Sequence, residues 1–176
     1  RHLVMCQRAP CRILTCRFER GGVFIEYSKQ AEVRNCVFVT PSSGSFVVIK
    51  KWGGDIVIEN NIAVGEPVSA RGVVMEVDDV NLAGGTAPKT TVRIARNTFA
   101  LHPMECMLIS PQKPARKETP VVRLDVSDNI FDCDRFGMIF TQWQAMYTKD
   151  APEYAGADAE ALLPQMFDWQ GRRNVY

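Results

Sequence analysis

The chain has 176 residues, of which 46% are hydrophobic and 23% charged, with a formal net charge of +1 at pH 7. Such a chain suits one domain with its own core and is too apolar to be a disordered segment. A charge this close to zero argues against a global field toward nucleic acid, and no apolar run reaches the roughly 18 residues that span a bilayer.

The chain opens on Arg1-His2 directly before an apolar stretch, without an initiator Met or a secretory pattern. It closes on Asn174-Val175-Tyr176, which reads as the start of another strand. The expectation is a segment of a longer protein, with localisation signals outside it.

Five units share one pattern: apolar, any, apolar, any, any, Asn or Cys, any, and then usually Phe. The first is Cys11-Arg-Ile-Leu-Thr-Cys16-Arg-Phe18 and the second Ala31-Glu-Val-Arg-Asn-Cys36-Val-Phe38. The third is Ile56-Val-Ile-Glu-Asn-Asn61-Ile-Ala63, the fourth Val92-Arg-Ile-Ala-Arg-Asn97-Thr-Phe99, and the fifth Leu124-Asp-Val-Ser-Asp-Asn129-Ile-Phe131. The Asn/Cys positions lie 20, 25, 36 and 32 residues apart, as expected for a unit of about 20 residues with insertions. After each comes a second apolar strand: Val23-Phe-Ile25, Phe46-Val-Val-Ile49, Val73-Val-Met75, Met107-Leu-Ile109 and Met138-Ile-Phe140. Val, Ile and Phe suit a pleated surface. Gly21-Gly22, Pro41-Ser-Ser-Gly44, Gly65-Glu-Pro67 and His102-Pro103 supply turns. Leucine-rich repeats also place Asn or Cys after a strand, but Leu is scarce at the key positions and the return path is β-rich.

Outward positions carry charges in a pattern. Stacking successive units sets Arg12 on Glu32, Arg34 on Glu59, and Arg93 on Asp125. Opposite charges side by side on a sheet contribute ~0.2–1 kcal/mol each. This face is expected to be self-neutralised. Inward, Cys6, Cys11, Cys16 and Cys36 are expected as buried thiols, with disulfides or a metal as alternatives. No Cys-x-x-Cys pair exists, and His2 and His102 lack ligand spacing to the cysteines. Residues 158–163 read as a short helix limited by Pro164.

The repeated units resemble the right-handed parallel β-helix superfamily, the pectin-lyase-like folds. The resemblance implies an all-β, right-handed parallel β-helix solenoid of about five to six coils, with a short helical insertion near the C-terminus. Coils then occupy residues 1–142, the insertion 143–168, and a further strand starts at 169–176. The resemblance also implies a structural ladder along an inward turn. Asn61, Asn97 and Asn129 match it, and Cys16 and Cys36 replace Asn in the first coils. A sharp turn leaves inward-facing backbone groups that must be paired, and an amide offers both donor and acceptor.

Candidate chemistry lies off the repeat. The insertions Asp78–Thr90 and Ser110–Thr119 follow the second strand of successive coils, so they define an edge where Lys89, Lys113, Arg116 and Lys117 could bind a ligand. Trp52, before Gly53-Gly54, could stack on a sugar ring, whereas Trp143 and Trp169 are expected to pack inside. Asp78-Asp79 is the adjacent acid pair: a weak catalytic candidate, or a Ca²⁺ site, since carboxylate oxygens suit that ion. No other cofactor or metal is expected. The polygalacturonase set of Asn-Thr-Asp, Asp-Asp and Gly-His-Gly is absent as a set, as is the pectate-lyase set. Residues 44–50 imitate the kinase strand that carries the ATP-binding Lys, but the other kinase motifs are missing, which leaves Lys50 as an outward residue.

The reading from sequence is therefore a binding or spacer module of a multidomain bacterial protein. Carbohydrate association follows from the resemblance alone. Its partners would be a polysaccharide and other domains of the same chain, with no nucleic acid and no membrane span in this segment; polysaccharide direction would imply an extracytoplasmic location. One alternative is a polysaccharide lyase or glycoside hydrolase with unrecognised active residues. Another is an accessory solenoid beside an enzyme domain, for example a Ser/Thr kinase, outside the segment.

Overall fold

Short alternating runs end in bends, and the bends set the architecture. The computed structural model describes residues 2–40, 44–50, 53–65, 70–77, 90–101, 105–111, 122–132, 135–139 and 167–176. At six bends the residue just before the Asn/Cys position is left-handed: Thr15, Asn35, Asn60, Arg96, Asp128 and Arg173 have φ between 50° and 58°. One such residue stops a strand and re-aims the chain. Asn and Asp tolerate the conformation, whereas a β-branched Thr15 adopts it only under tertiary constraint.

The strands are β1 (His2–Gln7), β2 (Cys11–Leu14), β3 (Arg17–Glu19), β4 (Gly21–Glu26), β5 (Gln30–Arg34) and β6 (Val37–Thr40). There follow β7 (Gly44–Lys50), β8 (Asp55–Glu59), β9 (Ile62–Gly65), β10 (Ala70–Val77), β11 (Thr90–Ala95) and β12 (Thr98–Leu101). The last are β13 (Glu105–Pro111), β14 (Val122–Ser127), β15 (Ile130–Asp132), β16 (Arg135–Ile139) and β17 (Phe167–Arg172). Each strand from β1 to β14 pairs in parallel with the strand three places further on. The result is three sheets, ordered β1-β4-β7-β10-β13-β16, β2-β5-β8-β11-β14-β17 and β3-β6-β9-β12-β15. The described residues form an all-β structure of parallel sheets without a helix.

Register follows the repeat. Cys11 stands beside Ala31, Ala31 beside Ile56, Ile56 beside Val92, and Val92 beside Leu124. Equivalent apolar residues therefore stack. Val33, Ile58, Ile94 and Val126 in the second sheet and Val23, Ile25, Val47, Ile49 and Met75 in the first are buried in one core. The third sheet adds rings: Phe18 stacks on Phe38 with centroids 4.8 Å apart, and Phe99 on Phe131 at 5.5 Å. Ala63 interrupts this column, and Phe46 leans on Phe38 from the first sheet at 5.6 Å.

Three points differ from the sequence reading. Each repeat contains three strands rather than two, because the x-Phe-x segment after the bend is a short strand of its own. Cys16 is exposed instead of inward, since β2 and β3 are the outermost strands of their sheets among the described residues. Trp169, expected inside, is 41% exposed at the opposite edge. The helix expected at 158–163, Trp143 and residues 143–166 of the insertion expected at 143–168 lie outside the described residues, while Phe167 and Asp168 already belong to β17.

The column of buried branched residues carries a stability prediction. Ile58→Ala empties a site sealed on both sides and is expected to cost about 2–5 kcal/mol. Ile62→Thr, on the exposed face of β9, should stay within about 0.5 kcal/mol. Urea unfolding of the two variants measures the difference.

Candidate functional site

The bend after the second-sheet strands places a line of amides inside the protein. Asn97 saturates its side chain. Its Oδ1 accepts from the Asn61 backbone N–H at 3.0 Å and from Asn61 Nδ2 at 2.9 Å. Its Nδ2 donates to Ile58 O at 2.9 Å and to Asn129 Oδ1 at 3.0 Å. Asn129 repeats the arrangement with Ile94 O and with Asn174 Oδ1. An amide has two donor hydrogens and two acceptor lone pairs, so nothing is left over. The surrounding backbone is paired too. At the first five bends the N–H of the left-handed residue reaches the next repeat, as Asn60 N does to Ala95 O at 3.0 Å. The N–H after each ladder residue reaches back, as Thr98 N does to Asn61 O at 2.9 Å.

Cys36 shows how a thiol substitutes for the amide. Its N–H donates to Asn61 Oδ1 at 2.9 Å, and its Sγ donates weakly to Ile13 O at 3.7 Å, the carbonyl equivalent to Ile58 O for Asn97. Burial pushes the Cys36 thiol up, and the Cys16 thiol beside it adds to the rise against partial opposition from the Cys16 and Thr15 backbone amides. Asn174 also belongs to this line and was missed in the sequence. Trp169-Gln-Gly-Arg-Arg-Asn174-Val-Tyr176 is a sixth unit, with Gly171 in an apolar place and Tyr for Phe. A Cβ on Gly171 would lie 2.7 Å from Trp169 Nε1, so the indole occupies that space. Tyr176 extends the ring stack onto Phe131 at 5.7 Å.

On the outer face of the second sheet the charges interlock. Arg12 meets Glu32 at 3.1 Å, and Arg34 meets Glu59 at 3.2 Å. Arg93, although in register with Asp125, turns instead to Glu59 at 3.1 Å, and Asp125 takes Arg172 at 3.6 Å. Arg96 also binds Glu59. Glu59 is therefore a hub of three guanidinium groups, with a side chain only 5% exposed. Sequence stacking considered strand residues alone, so it omitted Arg96, which stands at the bend. Further along, Arg173 grips Asp128 with two hydrogen bonds, one of 2.8 Å. That contact, with the nearby Arg172 and Arg96 charges, holds the Asp128 carboxyl below the usual carboxylate range.

The described carboxylates of the fifth repeat, Asp125, Asp128 and Asp132, hold separate places. Asp125 and Asp128 each serve an arginine, Asp132 stands on β15, and Asp134 lies outside the described residues. No group of three metal-ligating side chains occurs among the described residues. Asp78, Asp79, Trp52, Lys89, Lys113, Arg116 and Lys117 all lie outside the described residues. An open concavity of about 730 Å³ sits at the β1–β3 edge against Val4, Leu14, Cys16 and Phe18. No helix among the described residues is long and apolar enough to cross a membrane.

Comparisons with protein-family models, with curated proteins and with solved structures give no match to this chain.

The ladder and the lattice respond differently to substitution. Asn97→Ala strands buried groups on Asn61, Ile58 and Asn129 at about 1–3 kcal/mol each, so a loss of at least about 3 kcal/mol is expected. Cys36→Asn supplies the missing amide and should gain about 0.5–1.5 kcal/mol; chemical denaturation reads both. Asp128 has a lowered folded pKa, so its contribution is complete above the ordinary carboxylate pKa and disappears as pH falls through the lowered value. The thermal midpoint of wild type should exceed that of Asp128→Asn at pH 6, and the two should converge under strong acid. Added salt should narrow the gap at pH 6.

Proposed function

We propose that this chain is a right-handed parallel β-helix solenoid that serves as a binding or spacer module in a larger, multidomain bacterial protein, with carbohydrate as the ligand class and without catalytic activity of its own. The observation that carries the solenoid reading is the pairing of each strand from β1 to β14 with the strand three places on, together with the amide line that joins successive bends. A chain that passes three sheets in rotation and returns one strand further along has the connectivity of a coil. The pectin-lyase-like resemblance rests on the repeated unit, and the carbohydrate assignment rests on that resemblance.

Support for a non-catalytic role comes from the charge lattice. A general acid or base must be free to exchange protons with a substrate, and Glu59, Asp125 and Asp128 are instead each tied to arginine. The lattice holds neighbouring repeats together, in the way cross-strand charge pairs stabilise a sheet.

Incubation with a panel of neutral and acidic polysaccharides tests the reading. Retention on at least one polymer without new reducing ends or unsaturated products is the expected result. Product release would establish the lyase or hydrolase alternative, and absence of retention on every polymer would remove the carbohydrate assignment.

A further inference from the structure

The exposed Cys16 lies directly beside the buried Cys36. The two residues hold the same place in successive repeats, and the Val37 N–H donates to Cys16 O at 2.9 Å. Their side chains also match: each Sγ lies 3.2 Å from the carbonyl oxygen two residues earlier, Leu14 O and Arg34 O. Equivalent positions on neighbouring strands are about 4.8 Å apart, within the span of Cα separations that a disulfide bridges, roughly 4.4–6.8 Å. Only the outer thiol is open to solvent. Among the described residues its repeat is the outermost of all three sheets, paired on one side, and outermost strands open first in local unfolding.

We propose that Cys16 and Cys36 are a modification site: a dithiol that exchanges with small-molecule disulfides and closes into a bridge tying the edge repeat to the next. The Cys16 thiolate attacks one sulfur of the reagent disulfide, breaking its S–S bond, releasing one small thiolate and leaving a mixed disulfide on Cys16. Cys36 gives up its proton and attacks the Cys16 sulfur, and the second small thiolate departs. The two protein thiols lose two electrons and two protons, and the reagent disulfide becomes two thiols. Bridging confines the loop from 16 to 36 in the unfolded chain and opposes fraying of β2 and β3. Among the described residues the other neighbouring pair, Cys6 and Cys11, is less suited. Neither of its thiols is exposed as Cys16 is: Cys6 is buried and Cys11 half-buried.

Native protein is treated with oxidised glutathione at pH 8, quenched in acid and examined by intact mass and peptide mapping. The expected product is lighter by two hydrogens and yields one Cys16–Cys36 linked peptide. In the Cys36→Asn variant, which keeps the ladder, the reaction should stop at one glutathione on Cys16. Bridged wild type should also show slower hydrogen exchange at β2 than the reduced protein. The inference is overturned if both thiols remain open to alkylation after excess reagent, if the glutathione adduct on Cys16 persists in wild type, or if the link forms between Cys6 and Cys11.

Discussion

The bend after each second-sheet strand imposes the constraint on which the rest depends. A left-handed residue turns the chain sharply, and the peptide groups on either side then face inward, away from water. Leaving each unpaired would cost about 1–3 kcal/mol, repeated at every bend. The fold answers by placing every bend beside an identical bend. Asn61, Asn97, Asn129 and Asn174 then satisfy one another and the carbonyls of the preceding repeat. Hydrogen bonding at one bend requires the next, so the repeat spacing is a physical requirement of the pairing.

Packing follows from that alignment. Once the amides are in line, the residues three and five places before them are also in line, which stacks Val33, Ile58, Ile94 and Val126 in one column and Ala31, Ile56, Val92 and Leu124 in another. The residue two places after the amide becomes the ring column, from Phe18 to Tyr176. Outside, the same alignment sets arginines beside carboxylates, and the diagonal reach of Arg93 and Arg96 gathers them on Glu59. Interior and exterior thus share one register. A slip by one residue would break the amide line, expose the core face and misplace the charges together.

Much of this was legible because the repeat is dense in information. Apolar alternation located the strands of the first two sheets, and Asn or Cys at a fixed place located the bend. The third strand was not legible, because three or four residues after a sharp bend carry too little periodicity to separate from a turn. The sixth unit escaped because Gly171 breaks the apolar pattern, while the adjacent Trp169 that compensates for it is visible only in three dimensions. The exposure of Cys16 could not be read from its repeat position, since burial there depends on a neighbouring strand, and β2 and β3 are outermost among the described residues. The charge pairing was legible by register and not by reach: guanidinium groups extend past their direct neighbour, and Glu59 collected two arginines that stacking alone does not assign to it. The candidate ligand edge rests on residues outside the repeat, where spacing constrains nothing.

Amide hydrogen exchange followed residue by residue tests the bend constraint most directly. If the amide line is the cooperative element, the backbone N–H groups of Cys36, Asn61 and Asn97, each bonded to the Oδ1 of the following ladder residue, exchange only through global unfolding, at the rate of the buried Ile58 and Ile94. Exchange at these bends as fast as at the exposed ends, near Arg8 and Asn174, would contradict it.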